Sequence, residues 1–579
     1  MSSPLQTLTP TLTQTLAHAL AQHADRSFGL MGNGNAHLID HLGKVGVPYT
    51  AVRHEAATVA AADAYTRVSG KIAIATTTYG AGFTNALTAL AEAAQAHTPM
   101  LVVVGDEPSS GPRPWDVNQT MHATAIGVRT FTLGLADVAR TVDEAVAYAL
   151  QAQVPVILAI PYDLVAAPAE ATGADHPAAG TAADASLPAL DPTAVAPVAS
   201  SQLDAAALAL SQAARPVIIA GRGAHLAGVA PQLDAIADHL GAITSTTALA
   251  RGLFAGQATD LGVTGGFGQI QAMEVIESAD VVLVVGASLN QFTMRFGDLF
   301  GAGTRVIRVD AADVPAPKTN SPIDYVLLQG DARDVIAELG ARIAATPPTS
   351  APWRDTVTGL EPGGERRHRS SGLDEHPSGV CADGRLDPRA VATRVGELLP
   401  ADRHVTSDGG HFLGWANMYW PIASPERMIM VGTAYQTIGL GFSTVAGVSA
   451  AAPESTTVLT TGDGGGLMAL ADLETAIRTS ASLVVVVWND GAYGAEVHLY
   501  GVMGLDQAPM LIPDANFAGM AAALGATGVV VSSLADLDAL RDWTEAGARG
   551  TIVLDCRVSQ SVVAEYQREI QRVNGLDVE

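Results

Sequence analysis

Lysine occurs at only three positions, Lys44, Lys71 and Lys318, and the 579-residue chain sets 58 acidic residues against 32 basic ones, a formal charge of -26. Binding to nucleic acid draws on counterion release by clustered Lys and Arg, so a general nucleic-acid partner is excluded. Only two cysteines are present, Cys381 and Cys556. They make neither a disulfide framework nor a CxxC metal site, and read as small packing residues in a reducing compartment. No apolar run has the length and purity of a membrane span. The opening MSSPLQTLTPTLTQTL lacks the charged start and unbroken apolar stretch of a signal peptide. The expectation is a cytoplasmic protein with no membrane partner.

What the chain does contain is apolar residues, 48% of the total, and 58 glycines. That composition suits a large, well-buried α/β enzyme, and the length suits about three domains. Short apolar runs alternate with helical patterns in three stretches, the rhythm of doubly wound parallel sheets. Strands are expected at Lys71–Thr76 and Met100–Val104 in the first stretch, and at Pro216–Ala220, Val281–Val285 and Arg305–Val309 in the second. The third should hold strands at Thr456–Thr461, Leu483–Trp488 and Thr551–Asp555. Residues 166–200 and 345–385 read as linkers, the latter with a solvated basic run, Glu365 to Arg369. Domains are therefore expected at 1–170, 195–345 and 380–579.

The stretch TTVLTTGDGGGLMALADLETAIRTSASLVVVVWNDGAYG, Thr456 to Gly494, carries the most chemistry. It reads as strand, Gly-rich turn, helix, strand and acidic turn. Asp463 and Asp490 then stand at the carboxyl ends of two strands, the side on which parallel sheets bind ligands. Two oxygen donors beside Gly464, Gly465 and Gly466 at a helix start suit a magnesium ion and a diphosphate together. A dinucleotide site competes, because Gly464-x-Gly466-x-x-Ala469 follows a strand and Asp490 falls near the place of a ribose-binding acid. A carboxylate inside the phosphate turn favours the metal reading, since Asp463 would repel a pyrophosphate unless a cation lay between them.

GDG, Gly462 to Gly464, followed about 27 residues later by the pair Asn489-Asp490, resembles the signature of thiamine-diphosphate-dependent enzymes of the acetolactate synthase and pyruvate decarboxylase type. The resemblance implies three domains: pyrimidine-binding, central and diphosphate-binding. It implies magnesium held by Asp463, the Asp490 side chain and the Ala492 carbonyl, with Asp490 standing where many members have Asn. VRHEAATVAAADAYTRVSG, from Val52, resembles the segment with the family's essential glutamate and so nominates Glu55, whose proton exchange with the aminopyrimidine ring activates the cofactor. TYGAGFTN, Thr78 to Asn85, is similar to the family's Gly-rich turn and helix start, and Asn85 joins the cofactor-binding set. VGTAYQTIGLGFSTVAG, from Val431, resembles the segment beneath the cofactor. It places the Gln436 carbonyl at the 4′-amino group and Ile438 at the bend of the cofactor. SDGGHFLGW, from Ser407, nominates Gly410, His411 and Phe412 near the diphosphate.

Which reaction follows depends on what meets the activated donor. Protonation yields an aldehyde, whereas attack on a second carbonyl compound yields a carboligation product. Gln119 stands where acetolactate synthases carry a Gln, which favours carboligation of a 2-oxo acid such as pyruvate with a carbonyl acceptor. Glu496 stands where pyruvate decarboxylases use a catalytic Glu, and His498 is a further candidate. Leu499 replaces the specificity-setting Trp of acetolactate synthases. GRGAH, from Gly221, and VVGASLNQFTMRFG, from Val284, occupy the places where some relatives bind FAD. The second lacks the family's paired Asp residues, so a central domain without flavin is the stronger expectation. A homodimer or homotetramer is implied, with Glu55 acting on cofactor held by a partner subunit. The alternatives in other classes are an NAD-dependent dehydrogenase and a non-catalytic nucleotide-binding regulator.

Overall fold

The computed structural model describes residues 9–170, 197–349, 351–360 and 375–576. Most of the first expected linker, the basic run at 365–369 and the extreme termini lie outside the described residues. Three six-stranded sheets succeed one another along the chain, and every strand pair is parallel.

The first sheet comprises β1 (Ser27–Gly29), β2 (Tyr49–Ala51), β3 (Ile74–Thr77), β4 (Met100–Asp106), β5 (Arg129–Thr132) and β6 (Pro155–Pro161), in the order β2-β1-β3-β4-β6-β5. The second comprises β7 (Pro216–Ala220), β8 (Ile243–Thr246), β9 (Asp260–Val263), β10 (Val281–Val285), β11 (Arg305–Asp310) and β12 (Asp324–Gln329). Its order is β12-β11-β10-β7-β8-β9, the doubly wound dinucleotide-fold arrangement. The third comprises β13 (Arg403–Ser407), β14 (Met428–Met430), β15 (Thr456–Gly462), β16 (Ser482–Asn489), β17 (Thr527–Val531) and β18 (Gly550–Arg557). It repeats the strand order of the first: β14-β13-β15-β16-β18-β17.

Strands covered by helices on both faces need continuous apolar runs, and Leu483 to Trp488 in β16 is buried throughout. The run at Lys71 becomes a strand only at Ile74, because its partner β1 has three residues and pairs Ser27 with Ile74. The Gly-rich segment after β15 is helical rather than a turn, and Asp463 is the first residue of that helix. Both cysteines are buried and unpaired. Among the described residues, no helix is long and apolar enough to cross a membrane.

The first and third domains are joined by the crossing of two helices, Glu55–Ser69 and Gly441–Ala451. The approach is close enough that a Cβ on Gly447 would lie 2.0 Å from the Ala61 carbonyl oxygen. Beside it, Arg67 Nε donates to Asp63 at 2.6 Å and Arg67 Nη1 to the Met430 carbonyl at 2.8 Å, while Glu92 accepts the Tyr435 N–H at 2.7 Å. These buried charges are paired and hydrogen-bonded, which makes their burial tolerable and ties the two domains in one orientation. Replacing Gly447 with Ala should therefore cost about 3 kcal/mol through overpacking. Thermal unfolding should show a clear drop in melting temperature, and an unchanged value would refute the close crossing.

Candidate active site

The strand order places a topological switch between β13 and β15, and the loops leaving these two strands build the densest polar cluster. Asp463 follows β15, where its Oδ1 accepts the Gly464 N–H and its Oδ2 the Gly491 N–H, each at 2.9 Å. Asp490 follows β16, with Oδ1 accepting the Ala492 N–H at 3.1 Å. Burial raises the Asp463 carboxyl to about 6 despite those N–H donors. Burial, and then the charge of Asp463, raise Asp490 to about 8. Two carboxyls that resist joint ionisation form a donor set that a divalent cation would satisfy.

The surroundings suit an anion bridged to that cation. A Cβ on Gly464 would lie 2.6 Å from the Tyr493 ring, and one on Gly465 2.6 Å from Asp408 Oδ2, so no side chain fits at either position. His411 Nε2 accepts the Ala564 N–H at 3.0 Å, which leaves Nδ1 to carry the proton of the neutral ring. Nδ1 and Asp490 Oδ2 lie on the same side of Gly494, at 3.4 and 3.0 Å from where its Cβ would be. Among the described residues that nitrogen has no hydrogen-bond partner, and it stands on the Asp490 side of the cluster. Phe412 is buried against Gly410 and Gly462. Ile438 is half-buried over Gly409, and Gln436 is exposed with a left-handed backbone, φ 58°.

His498 lies on a π-helical turn, Val497–Gly501, and its ring centre is 4.6 Å from that of His411. Burial, with the nearby charge of Arg568, lowers His498 to about 4, while burial and His498 hold His411 well below its ordinary value. Both rings are neutral near pH 7, and His498 Nε2 is buried without a hydrogen-bond partner. Glu496 is exposed on the same short segment.

A second group sits at the carboxyl end of the first sheet. Glu55 opens its helix directly after β2, and Asn85 Nδ2 donates to Glu55 Oε2 at 3.0 Å. Gln119 is buried, not poised for a ligand: Oε1 accepts the Gly80 N–H at 2.8 Å, and Nε2 donates to the Gly105 carbonyl at 2.9 Å and to Asp106 at 3.1 Å. Its amide protons are committed to Gly105 and Asp106, while its oxygen braces the Gly80 turn, which starts the helix bearing Asn85. Among the described residues, no hydrogen bond or ion pair links Glu55, Asn85 or Gln119 to the Asp463 cluster of the same chain.

Asp408 was not singled out in the sequence, although it is central here. Fully buried, it accepts from the Gly409 N–H at 2.8 Å, the Gly439 N–H at 2.9 Å and the Thr461 hydroxyl at 3.2 Å. It therefore ties together the loops after β13, after β14 and beneath the Asp463 helix. An Asp-Gly-Gly turn at a strand end was the available signal. In the central domain, a Cβ on Gly221 would lie 2.2 Å from the Gly286 carbonyl oxygen, so close backbone packing accounts for that glycine without a nucleotide. A separate cluster, His376, Cys381 and Asp387, has Arg389 Nη2 2.7 Å from Asp387 and 3.3 Å from His376; the guanidinium takes the place a cation would need.

Three segments match domains of thiamine pyrophosphate enzymes: residues 10–126 the N-terminal TPP-binding domain, 203–339 the central domain, and 408–556 the C-terminal TPP-binding domain. The chain belongs to this family of thiamine pyrophosphate enzymes. Along 94% of its length it is 30% identical to a probable 2-ketoarginine decarboxylase of Pseudomonas aeruginosa, covering 92% of that protein. It is 26% identical to a sulfoacetaldehyde acetyltransferase of Rhodobacter capsulatus, with 96% of each chain covered. With the acetolactate synthase isozyme 3 large subunit of Escherichia coli it shares 28% identity over 48% of this chain and 47% of that one. The chain thus spans only about half the length of several curated relatives it matches, including 54% of a sulfoacetaldehyde acetyltransferase of Castellaniella defragrans.

The raised Asp490 carboxyl makes a signed prediction. A folded-state value above the unfolded one means that the metal-free native state binds the extra proton, so its stability falls as pH rises from about 4 to about 8. Asp490→Asn removes this penalty. Metal-free Asp490→Asn protein should gain on the wild type by roughly 1–3 kcal/mol between pH 5 and pH 8, read by denaturant unfolding. A difference that does not change with pH would contradict the buried pair.

Proposed function

We propose that the protein is a carboligase that activates a small 2-oxo acid such as pyruvate and joins the resulting acyl unit to a second carbonyl compound. The observation that carries this reading is the neutral His411–His498 pair. With no imidazolium at the site, protonation of the activated donor to a free aldehyde lacks its usual strong acid, and a carbonyl acceptor can compete.

In this reading the domains are 1–170, 195–345 and 380–579. Asp463, Asp490 and the Ala492 carbonyl would hold Mg2+, and the Gly464 and Gly465 backbone and His411 Nδ1–H would receive the diphosphate. Gly410 and Phe412 line the same turn, and the Gln436 carbonyl and Ile438 would serve the rings. Bound thiamine diphosphate supplies the electron sink that lets a 2-oxo acid lose carbon dioxide. Glu55, oriented by Asn85, exchanges a proton with the aminopyrimidine ring. Gln119 acts at one remove, by fixing the turn that positions Asn85.

Among the described residues no hydrogen bond or ion pair joins Glu55 to the Asp463 cluster of the same chain, which supports a site completed by a second copy, in a homodimer or homotetramer. Exposed apolar side chains on the third domain, among them Tyr435, Met468 and Tyr500, are consistent with such a cover. The second reading, a simple decarboxylase, is favoured by the exposed Glu496 carboxyl, a candidate proton donor, and by the full-length likeness to a protein named as a decarboxylase.

Purified protein loaded with cofactor and Mg2+ should convert pyruvate, in the presence of aldehyde or ketone acceptors, to coupled products identified by mass. Acetaldehyde as the sole product with every acceptor would favour the decarboxylase. Glu55→Gln should lower turnover at least 100-fold under either scheme, and retained activity would overturn the assignment of Glu55.

A further inference from the structure

We propose that the cavity between the Glu565–Val573 helix and the Gly265–Gly268 loop of the central domain binds a small organic carboxylate, anchored by Arg568. The cavity is an open cleft of about 350 Å3, the size of a small-molecule site. One wall is backbone: a Cβ on Gly266 would run into the Phe292 ring at 2.3 Å and one on Gly268 into Met273 at 2.6 Å. The side-chain directions of these glycines thus point into the protein, and the loop offers peptide groups to the cavity.

The other walls gather three guanidinium groups, those of Arg295, Arg568 and Arg572, in a chain with a large excess of acid. Arg295 Nε donates to Glu569 at 2.6 Å, and Arg572 is paired with Asp298 at 2.7 Å. Glu565, the other acid at the rim, is already engaged. Among the described residues, Arg568 alone of the three has neither a hydrogen bond nor an ion pair for its side chain. Its planar fork matches a carboxylate with two parallel hydrogen bonds. Arg295 and Phe296 are consecutive non-glycine residues at φ 49° and 56°, a conformation that costs energy and persists where the surroundings enforce it. It holds Arg295 at the cavity wall.

The same helix touches the candidate active site with its opposite face. The Tyr566 hydroxyl donates to the His411 carbonyl at 2.7 Å, and Gln567 Nε2 to the Ala495 carbonyl at 3.3 Å. An anion on Arg568 therefore sits one helix away from the His411 turn. Anion binding stands on this geometry alone, whereas its link to turnover rests on the proposed function.

The test is calorimetric titration of the full-length, cofactor-loaded protein with succinate, a dicarboxylate without a reactive carbonyl, and with uncharged succinamide. Saturable succinate binding is expected, at least tenfold weaker in Arg568→Gln, unchanged in Arg541→Gln on a remote surface, and undetectable for succinamide. Because Arg568 is exposed, its replacement leaves the core intact. Absence of saturable binding to the wild type, or equal affinity in Arg568→Gln, would overturn the proposal. Kinetics with the 2-oxo acid separate the two sources of the carboxylate. A KM raised in Arg568→Gln at constant kcat identifies the substrate's own carboxylate. An unchanged KM, with succinate altering turnover noncompetitively, identifies a separate effector. Failure of the catalytic reading would abolish turnover in all variants and leave the titration informative.

Discussion

The burial of two carboxyls, Asp463 and Asp490, at neighbouring strand ends is the constraint around which the third domain is organised. A parallel sheet delivers its strand ends to one edge, and here two of those ends carry carboxylates into a buried place. Burial disfavours the charge on both carboxyls, and the charge of Asp463 adds to that for Asp490. Backbone N–H groups of Gly464, Gly491 and Ala492 reduce that cost and hold the oxygens in fixed directions. Asp408 performs the structural counterpart one strand over. Its buried carboxylate is consumed by the N–H groups and hydroxyl that fasten the surrounding loops.

The first domain supplies different chemistry through a repeated architecture. Its strand order matches that of the third, and its polar residues also collect at the carboxyl edge, but as a relay of position: Gln119 holds the Gly80 turn, the following helix carries Asn85, and Asn85 holds Glu55. The central domain has the dinucleotide topology, yet its first glycine is occupied by the backbone of Gly286. Its contribution to the site region is the Gly265 loop against the last helix. One fold plan thus presents a buried acidic pair, a braced glutamate and a cavity wall, according to which side chains stand at the strand ends.

The parallel sheets were legible because buried strands leave continuous apolar runs, as in Leu483 to Trp488, and their placement follows the expectation closely. Edges were less legible: the run at Lys71 forms a strand only from Ile74, where the short partner β1 permits pairing. At the site, Asp463, Asp490 and Glu55 could be nominated because motif spacing reports on chemistry local in the chain. Asp408 could not, since its importance comes from bonds to loops more than thirty residues away. The identity of Gln119 was noted in the sequence, but its commitment to Gly80, Gly105 and Asp106 required the folded chain.

By itself the sequence determined the three-sheet α/β architecture, the pair of carboxyls at two strand ends and the family to which the chain belongs. Each of these is carried by local periodicity or by residues close together in the chain. Only the tertiary structure decided the protonation of the acidic pair, the facing of His411 and His498, the grouping of Glu55 with Asn85, and the cavity beside Arg568. These depend on burial and on contacts between segments that are separate in the chain, and neither quantity is written in any one stretch of it.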